Sequence, residues 1–180
     1  MQLTLEQLQE IMPYMKKHKE KAEQYLPFLQ AAMIEASIDT PLRVAAFLAQ
    51  LAHESGELKY FEEIASGKAY EGRKDLGNTQ PGDGIRFKGR GPIQLTGRFN
   101  YEECGKALGV DLVNHPERAD DPDIAFRTAA WFWTKRRLNI FADKGGGFFD
   151  EITFRVNGGY NGKESRRKYY HKALEVLGAR

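Results

Sequence analysis

Two glutamates carry the first chemical signal. Glu54 stands in Ala52-His53-Glu54-Ser55-Gly56, and Glu63 follows nine residues later in Tyr60-Phe61-Glu62-Glu63. Glu54 lies three residues past Leu51 and seven past Phe47, so on a helix it sits beside the apolar face. A carboxyl placed there loses hydration, which favours its neutral form and suits a general acid. A turn between the two glutamates can set their carboxyls on opposite walls of a cleft. Glycosidic cleavage uses such a pair: one acid for the leaving oxygen, and one base or nucleophile. Spacing alone also fits a surface glutamate at a fraying helix end, and adjacent glutamates such as Glu62-Glu63 are common on surfaces.

A zinc peptidase needs His-Glu-x-x-His, which places two imidazoles one turn apart. Here the last position is Glu57, and the remaining histidines, His18, His115 and His171, give no pair at ligand spacing. Neither a metal nor a cofactor is therefore expected, and His53 reads as a packing residue behind the site. The segment Gly89-Arg90-Gly91-Pro92-Ile93-Gln94-Leu95-Thr96 follows Gly82-Asp83-Gly84. It fails the phosphate-loop pattern, because the Gly84 to Gly89 interval is followed by Arg90-Gly91. Gln94, Thr96 and Asn100 are uncharged hydrogen-bonding groups that suit sugar hydroxyls or hold a water. Asn157-Gly158-Gly159-Tyr160-Asn161-Gly162, ahead of Arg166, reads by itself as a turn capping a last helix.

These residues need elements to position them. Thr4 and Gln7 form a capping box, and Leu5, Leu8, Ile11, Met12 and Met15 follow at helical spacing. Pro13 divides or kinks that helix. A second helical stretch carries Leu26, Leu29, Ala32 and Met33. Thr40-Pro41 starts a central helix that runs to about Gly56, nearly all apolar through LRVAAFLAQLA. From Gly67 to Gly97 eight of thirty-one residues are glycine, which predicts a loop with a short hairpin. Asp121-Pro122 caps a helix ending in Lys135, Arg136 and Arg137, and a last helix runs from Lys163 to Leu177, stopping at Gly178.

At 180 residues, 41% hydrophobic and 29% charged, the chain fits one globular domain. The sole cysteine, Cys104, forms no internal disulfide and reads as a small buried thiol. The net charge of +2 is too weak to argue for nucleic acid. The last thirty residues hold seven Lys or Arg against three Glu, a local +4 that would attract an anionic polymer or form a solvated helix face. The start MQLTLEQLQE lacks a basic and an apolar signal region, and no stretch is long enough to span a bilayer. Synthesis in a cytoplasm, no stable membrane insertion and a monomer are expected.

Taken together, three motifs resemble glycoside hydrolase family 19, which includes plant-type chitinases and bacteriophage endolysins. They are AHES at 52–55, GRGPIQLTGRFNY at 89–101, and VNGGYNG with Arg166 at 156–166. The resemblance runs from about Thr40 to the C-terminus, leaving 1–39 as an N-terminal helical segment and 40–180 as the core of a single catalytic domain. The short interval between Glu54 and Glu63 resembles the phage and bacterial branch, whereas plant chitinases carry an insertion there. The resemblance implies a lysozyme-like α+β fold, mainly α-helical, with two lobes, a cleft and a small Gly-rich or β lobe. It implies Glu54 as general acid, Glu63 as general base of an inverting reaction, and Thr96 as holder of the water. It implies Gln94, Asn100, Tyr101, Asn157, Arg166 and His53 as the substrate-binding set. Glu62 competes with Glu63, and Arg167 with Arg166, by one position. The expected substrate is peptidoglycan, met at the wall after release through the membrane, with chitin or a non-catalytic sugar-binding module as the alternatives.

Overall fold

The computed structural model describes residues 1–179. Thr4 caps α1 (Leu5–Ile11): its Oγ1 accepts from Gln7 N at 3.1 Å, and Gln7 Oε1 accepts from Thr4 N at 3.0 Å. Proline ends that helix and begins α2 (Pro13–Lys17), and α3 (Lys19–Glu35) follows. The central helix α4 (Pro41–Ser55) buries every residue from Val44 to Ala52. A helix apolar all round must be covered all round. Its covers are α8 (Asn139–Ala142), α9 (Phe149–Asn157) and above all α10 (Lys163–Val176). Each large side chain buried this way, such as Phe47 against Trp133, contributes about 1.5–3 kcal/mol of transfer free energy.

A second, smaller core gathers Phe87, Leu95, Tyr101, Cys104, Leu112, Ala119 and Ile124. It lies between the Gly-rich segment, α6 (Arg98–Leu108) and the start of α7 (Pro122–Lys135). The helix α7 serves both cores: Ile124 enters the small one, while Phe126 and Ala129 enter the large one. Asp121 does precede α7, yet its side chain makes no capping bond and lies 3.7 Å from Arg118 instead. Burial of the Cys104 thiol pushes its pKa up to about 12, so it has no thiolate chemistry at neutral pH.

The Gly-rich lobe is less regular than a β lobe. Among the described residues there is no strand, only two isolated antiparallel bridges, Glu62 to Arg90 and Arg90 to Leu95. The expected hairpin is the second bridge, closed by Arg90 N to Leu95 O at 3.0 Å and Leu95 N to Arg90 O at 2.8 Å. Elsewhere short turns at Lys68–Tyr70 and Lys74–Leu76 and the single-turn α5 (Asp83–Arg86) take the chain round. Polar side chains satisfy the backbone where a sheet would have done so. The Glu71 carboxylate accepts from Gly82 N at 2.7 Å and Gly84 N at 2.8 Å. The buried Asn78 accepts from Arg98 N at 2.9 Å and donates to Tyr70 O at 2.9 Å.

Between the two glutamates the chain makes an uncommon turn. Gly56, Glu57 and Leu58 all adopt left-handed backbone, with φ of 58°, 63° and 65°. Two non-glycine residues in that region cost about 1–3 kcal/mol each. Neighbours hold them there. Leu58 is fully buried, and its N–H donates to Ser55 Oγ at 2.8 Å. Glu57 accepts from Tyr14 N of α2 at 2.5 Å and from Tyr169 Oη of α10 at 2.7 Å. The N-terminal segment is therefore fastened to the turn that separates Glu54 from Glu63.

Two stability predictions follow from these contacts. Glu57→Ala removes both bonds to the turn and should cost roughly 2–4 kcal/mol, since bonds to charged groups contribute most. Urea unfolding measures this, and a loss below about 0.5 kcal/mol would show that the turn holds itself. Asp120 closes the turn Pro116–Asp120 under the hairpin, accepting from Gly91 N at 3.2 Å and lying 3.3 Å from Arg90 Nε. Burial pushes its pKa up from 3.8 to about 6, against the lowering effect of those two contacts. The folded state thus holds this proton more tightly than the unfolded chain. The resulting stabilisation is complete below pH 3.8 and is lost as pH rises through about 6. Asp120→Asn should remove that decline, as thermal melts across this pH window would show.

Candidate active site

The two glutamates sit in unlike surroundings. Glu54 is at the end of α4, one-fifth exposed, with Oε1 accepting from Arg166 Nη2 at 2.6 Å. The Arg166 side chain is 1% exposed. Its Nε donates to Asn161 O at 3.0 Å and its Nη1 to Gln50 Oε1 at 2.6 Å. The expectation that apolar burial strips Glu54 of water gives way here: a buried cation grips the carboxyl. The one-position ambiguity at 166–167 also resolves. Arg167 faces outward and pairs with Asp150 of α9 through Nε at 2.8 Å.

Glu63 lies on the other lobe, half-buried. Its Oε1 accepts from Tyr70 Oη at 2.9 Å, and its Oε2 accepts from Gly89 N at 3.0 Å. Burial and this bond both raise the pKa of the Tyr70 hydroxyl, which keeps it a donor. Gly89 is required by close approach. A Cβ there would stand 2.6 Å from Gln94 Oε1 and 3.1 Å from Glu63 Oε2. Glu62 points the other way, as neighbours in extended chain do, and pairs with Lys88 at 2.7 Å. That Lys88 bond holds the Glu62 carboxyl below the usual range. Of the two, Glu63 is the one aimed at the hairpin that carries Gln94 and Thr96.

The hairpin orients its own polar groups. Gln94 has φ of 60°, and its Nε2 donates back to Gly91 O at 3.0 Å, which holds that backbone. Thr96 Oγ1 donates to Gln94 O at 2.9 Å. The hydroxyl has then spent its proton and offers only lone pairs. Asn100, on the first turn of α6, donates through Nδ2 to Thr96 O at 2.9 Å, leaving its Oδ1 as an acceptor. Asn157 ends α9 and accepts from Asn161 N at 3.2 Å, closing the turn that delivers the Asn161 carbonyl to Arg166.

Two residues of the expected binding set have other work. Tyr101 is 0% exposed. Its Oη donates to Lys88 O at 2.6 Å and accepts from Arg90 Nη1 at 3.2 Å. A ring with no exposed face has none left for a sugar, so Tyr101 is a strut of the small core. His53 packs between α4 and α10, with Nδ1 3.0 Å from Ser165 Oγ. A Cβ at Gly162 would stand 2.1 Å from the His53 Cε1 atom, so only glycine admits the ring. Burial, helped by the charge of Arg166, lowers the His53 pKa, so the ring is neutral at neutral pH.

Three groups escaped the sequence reading. Gln50 had a signal, as the one polar side chain in the buried stretch Val44 to Ala52 of α4, a turn before Glu54. Tyr70 and the Gly89 amide had none, because loop geometry alone brings them to Glu63. Among the described residues no cluster of three or more His, Cys, Asp or Glu is placed to hold a metal ion.

Comparison with known proteins gives the same picture. Residues 31–141 match the family model described as Chitinase class I. An endochitinase of Arabidopsis thaliana is 41% identical over 144 residues, which cover 75% of this chain and 48% of that protein. The chain spans about half the length of such plant relatives. A glycosyl hydrolase family 19 domain-containing protein of Haemophilus influenzae is 32% identical, with 82% of this chain and 86% of that protein covered. Chitinase C from Streptomyces griseus has a TM-score of 0.75 at 26% identity, covering 98% of this chain and 92% of its own. A bacterial family 19 chitinase shares the fold with a TM-score of 0.80 at 23% identity, covering 100% of this chain and 97% of its own. A match through α4, both glutamates and the hairpin, and a bacterial relative spanned for most of its length, establish that the chain belongs to glycoside hydrolase family 19.

Proposed function

We propose that the chain is an inverting glycoside hydrolase that cleaves β-1,4 bonds of bacterial peptidoglycan, as an endolysin does. One observation carries the hydrolase reading: two carboxyls on two lobes, one gripped by a buried guanidinium and one held by the neutral donors Tyr70 and Gly89. Glu54 gives its proton to the glycosidic oxygen as the bond to the anomeric carbon breaks. The carboxylate left behind is stabilised by Arg166 at 2.6 Å. A water donates one proton to Glu63 and points the other at Thr96 Oγ1, whose own proton is on Gln94 O. Its lone pair then faces the anomeric carbon from the side opposite the leaving group. Glu63 receives the proton and never bonds to the sugar, so the configuration inverts.

Peptidoglycan is favoured by the short interval between the two glutamates and by a single free cysteine, which needs no oxidising compartment. In this reading the protein is made in a bacterial cytoplasm and meets the wall after release through the membrane. Chitin is the second reading, favoured by relatives named endochitinases. Both polymers carry β-1,4-linked N-acetylglucosamine, so the same site serves either.

Mass spectrometry of products from purified peptidoglycan and from chitin oligomers separates the two readings. Muropeptides with newly formed reducing ends support the first, and turnover of chitin alone overturns it. Proton NMR in early turnover should show the α-anomer first from a β-linked substrate, and a first-formed β-anomer sinks the inverting mechanism. Glu54→Gln should keep the fold and lose activity by roughly 100- to 10,000-fold. Glu63→Gln should do likewise, while Glu62→Gln, which only loses its pair with Lys88, should stay close to wild type. A Glu62 variant that is the inactive one would move the base by a residue.

A further inference from the structure

Gln50 is a primary amide with no exposure, set in the most apolar helix of the molecule. A leucine would fill such a place without the desolvation cost of an amide. Both ends of this amide are engaged. Oε1 accepts from Arg166 Nη1 at 2.6 Å, and Nε2 donates to Thr153 Oγ1 at 3.1 Å. The orientation is fixed by chemistry, because a guanidinium has no acceptor and must face the oxygen.

The bonds form a closed circuit. Thr153 of α9 holds Gln50 of α4, Gln50 holds Arg166 of α10, and Arg166 holds Asn161 O. Asn161 N returns to Asn157 at the end of α9. A planar guanidinium fixed at Nε and Nη1 has no rotation left, and its Nη2 points at Glu54 Oε1 at 2.6 Å. The acceptor at position 50 is neutral, so the positive charge is left to Glu54. Arg166 from α10 pairs with Glu54, and His53, on the same helix as Glu54, feels the charge of both.

Resting on the hydrolase reading above, we propose that Gln50 is a positioning residue that fixes the Arg166 guanidinium against the catalytic acid Glu54, with Thr153 anchoring it from α9. It touches no substrate and acts only through Arg166.

Three variants test this: Gln50→Leu, Gln50→Glu and Thr153→Val. Gln50→Leu should lower kcat on the order of 10- to 100-fold, the scale of a small misplacement, with KM changed less than about twofold. Thr153→Val should act in the same direction and less, and it remains informative if Gln50→Leu does not fold. Gln50→Glu places a second carboxylate on Arg166, which makes Glu54 harder to ionise. The alkaline limb of the kcat profile should then move to higher pH. Exchange of the Arg166 Nε–H with solvent, followed by nitrogen NMR, should speed up in Gln50→Leu and Thr153→Val. Wild-type kcat, an unmoved alkaline limb and unchanged exchange in the folded variants would overturn the proposal, even if melting temperatures fall. Wild-type protein that turns over neither polymer would sink the hydrolase reading separately, and the exchange measurement would still decide whether Gln50 positions Arg166.

Discussion

A guanidinium at 1% exposure must find acceptors within the protein, because an unpaired buried charge costs several kcal/mol. Arg166 finds three, on α4 and on the turn before α10, and these bonds set the relation of the large lobe's helices. Its pairing with Glu54 is therefore a structural bond and a chemical one at once. The apolar burial of α4 supplies the rigidity, and the guanidinium supplies the direction. Without the covering by α9 and α10, the pair would lie in water and be worth little.

The second lobe solves the opposite problem. It has few apolar residues and many glycines, so its shape comes from carboxylates and amides bonded to backbone. Glu71, Asn78, Asp83 and Glu63 each satisfy backbone groups that a sheet would have paired. Asp83 is 1% exposed and meets Arg98 at 2.7 Å, which anchors the start of α6 to the loop. Glu63 thus belongs to the lobe's framework as well as to the proposed site. Its neutral donors, Tyr70 and Gly89, hold it in place.

The turn at Gly56–Leu58 joins the two systems. Its left-handed residues are costly by themselves, and bonds from α2 and α10 to Glu57 keep them there. The N-terminal helices, whose first thirty residues precede the matched family region, thereby help hold the turn between Glu54 and Glu63.

By itself the sequence determined the helices and singled out the candidate reacting groups. The capping box at Thr4, the break at Pro13, the start at Thr40-Pro41 and the nearly all-apolar run of α4 are local signals, and each appears where it was expected. Motif order carried the family and drew attention to Glu54, Glu63, Gln94 and Thr96. Tertiary structure decided which neighbour of each ambiguous pair faces inward, since a one-residue shift turns a side chain to another face. It also made Tyr101 a buried strut and His53 a wedge, because burial depends on what packs above a residue, which spacing does not encode. Tyr70 and the Gly89 amide reach Glu63, and the Asn161 carbonyl reaches Arg166, only through loop closure. Such contacts are set by backbone torsions and long-range packing, and no periodicity in the chain announces them.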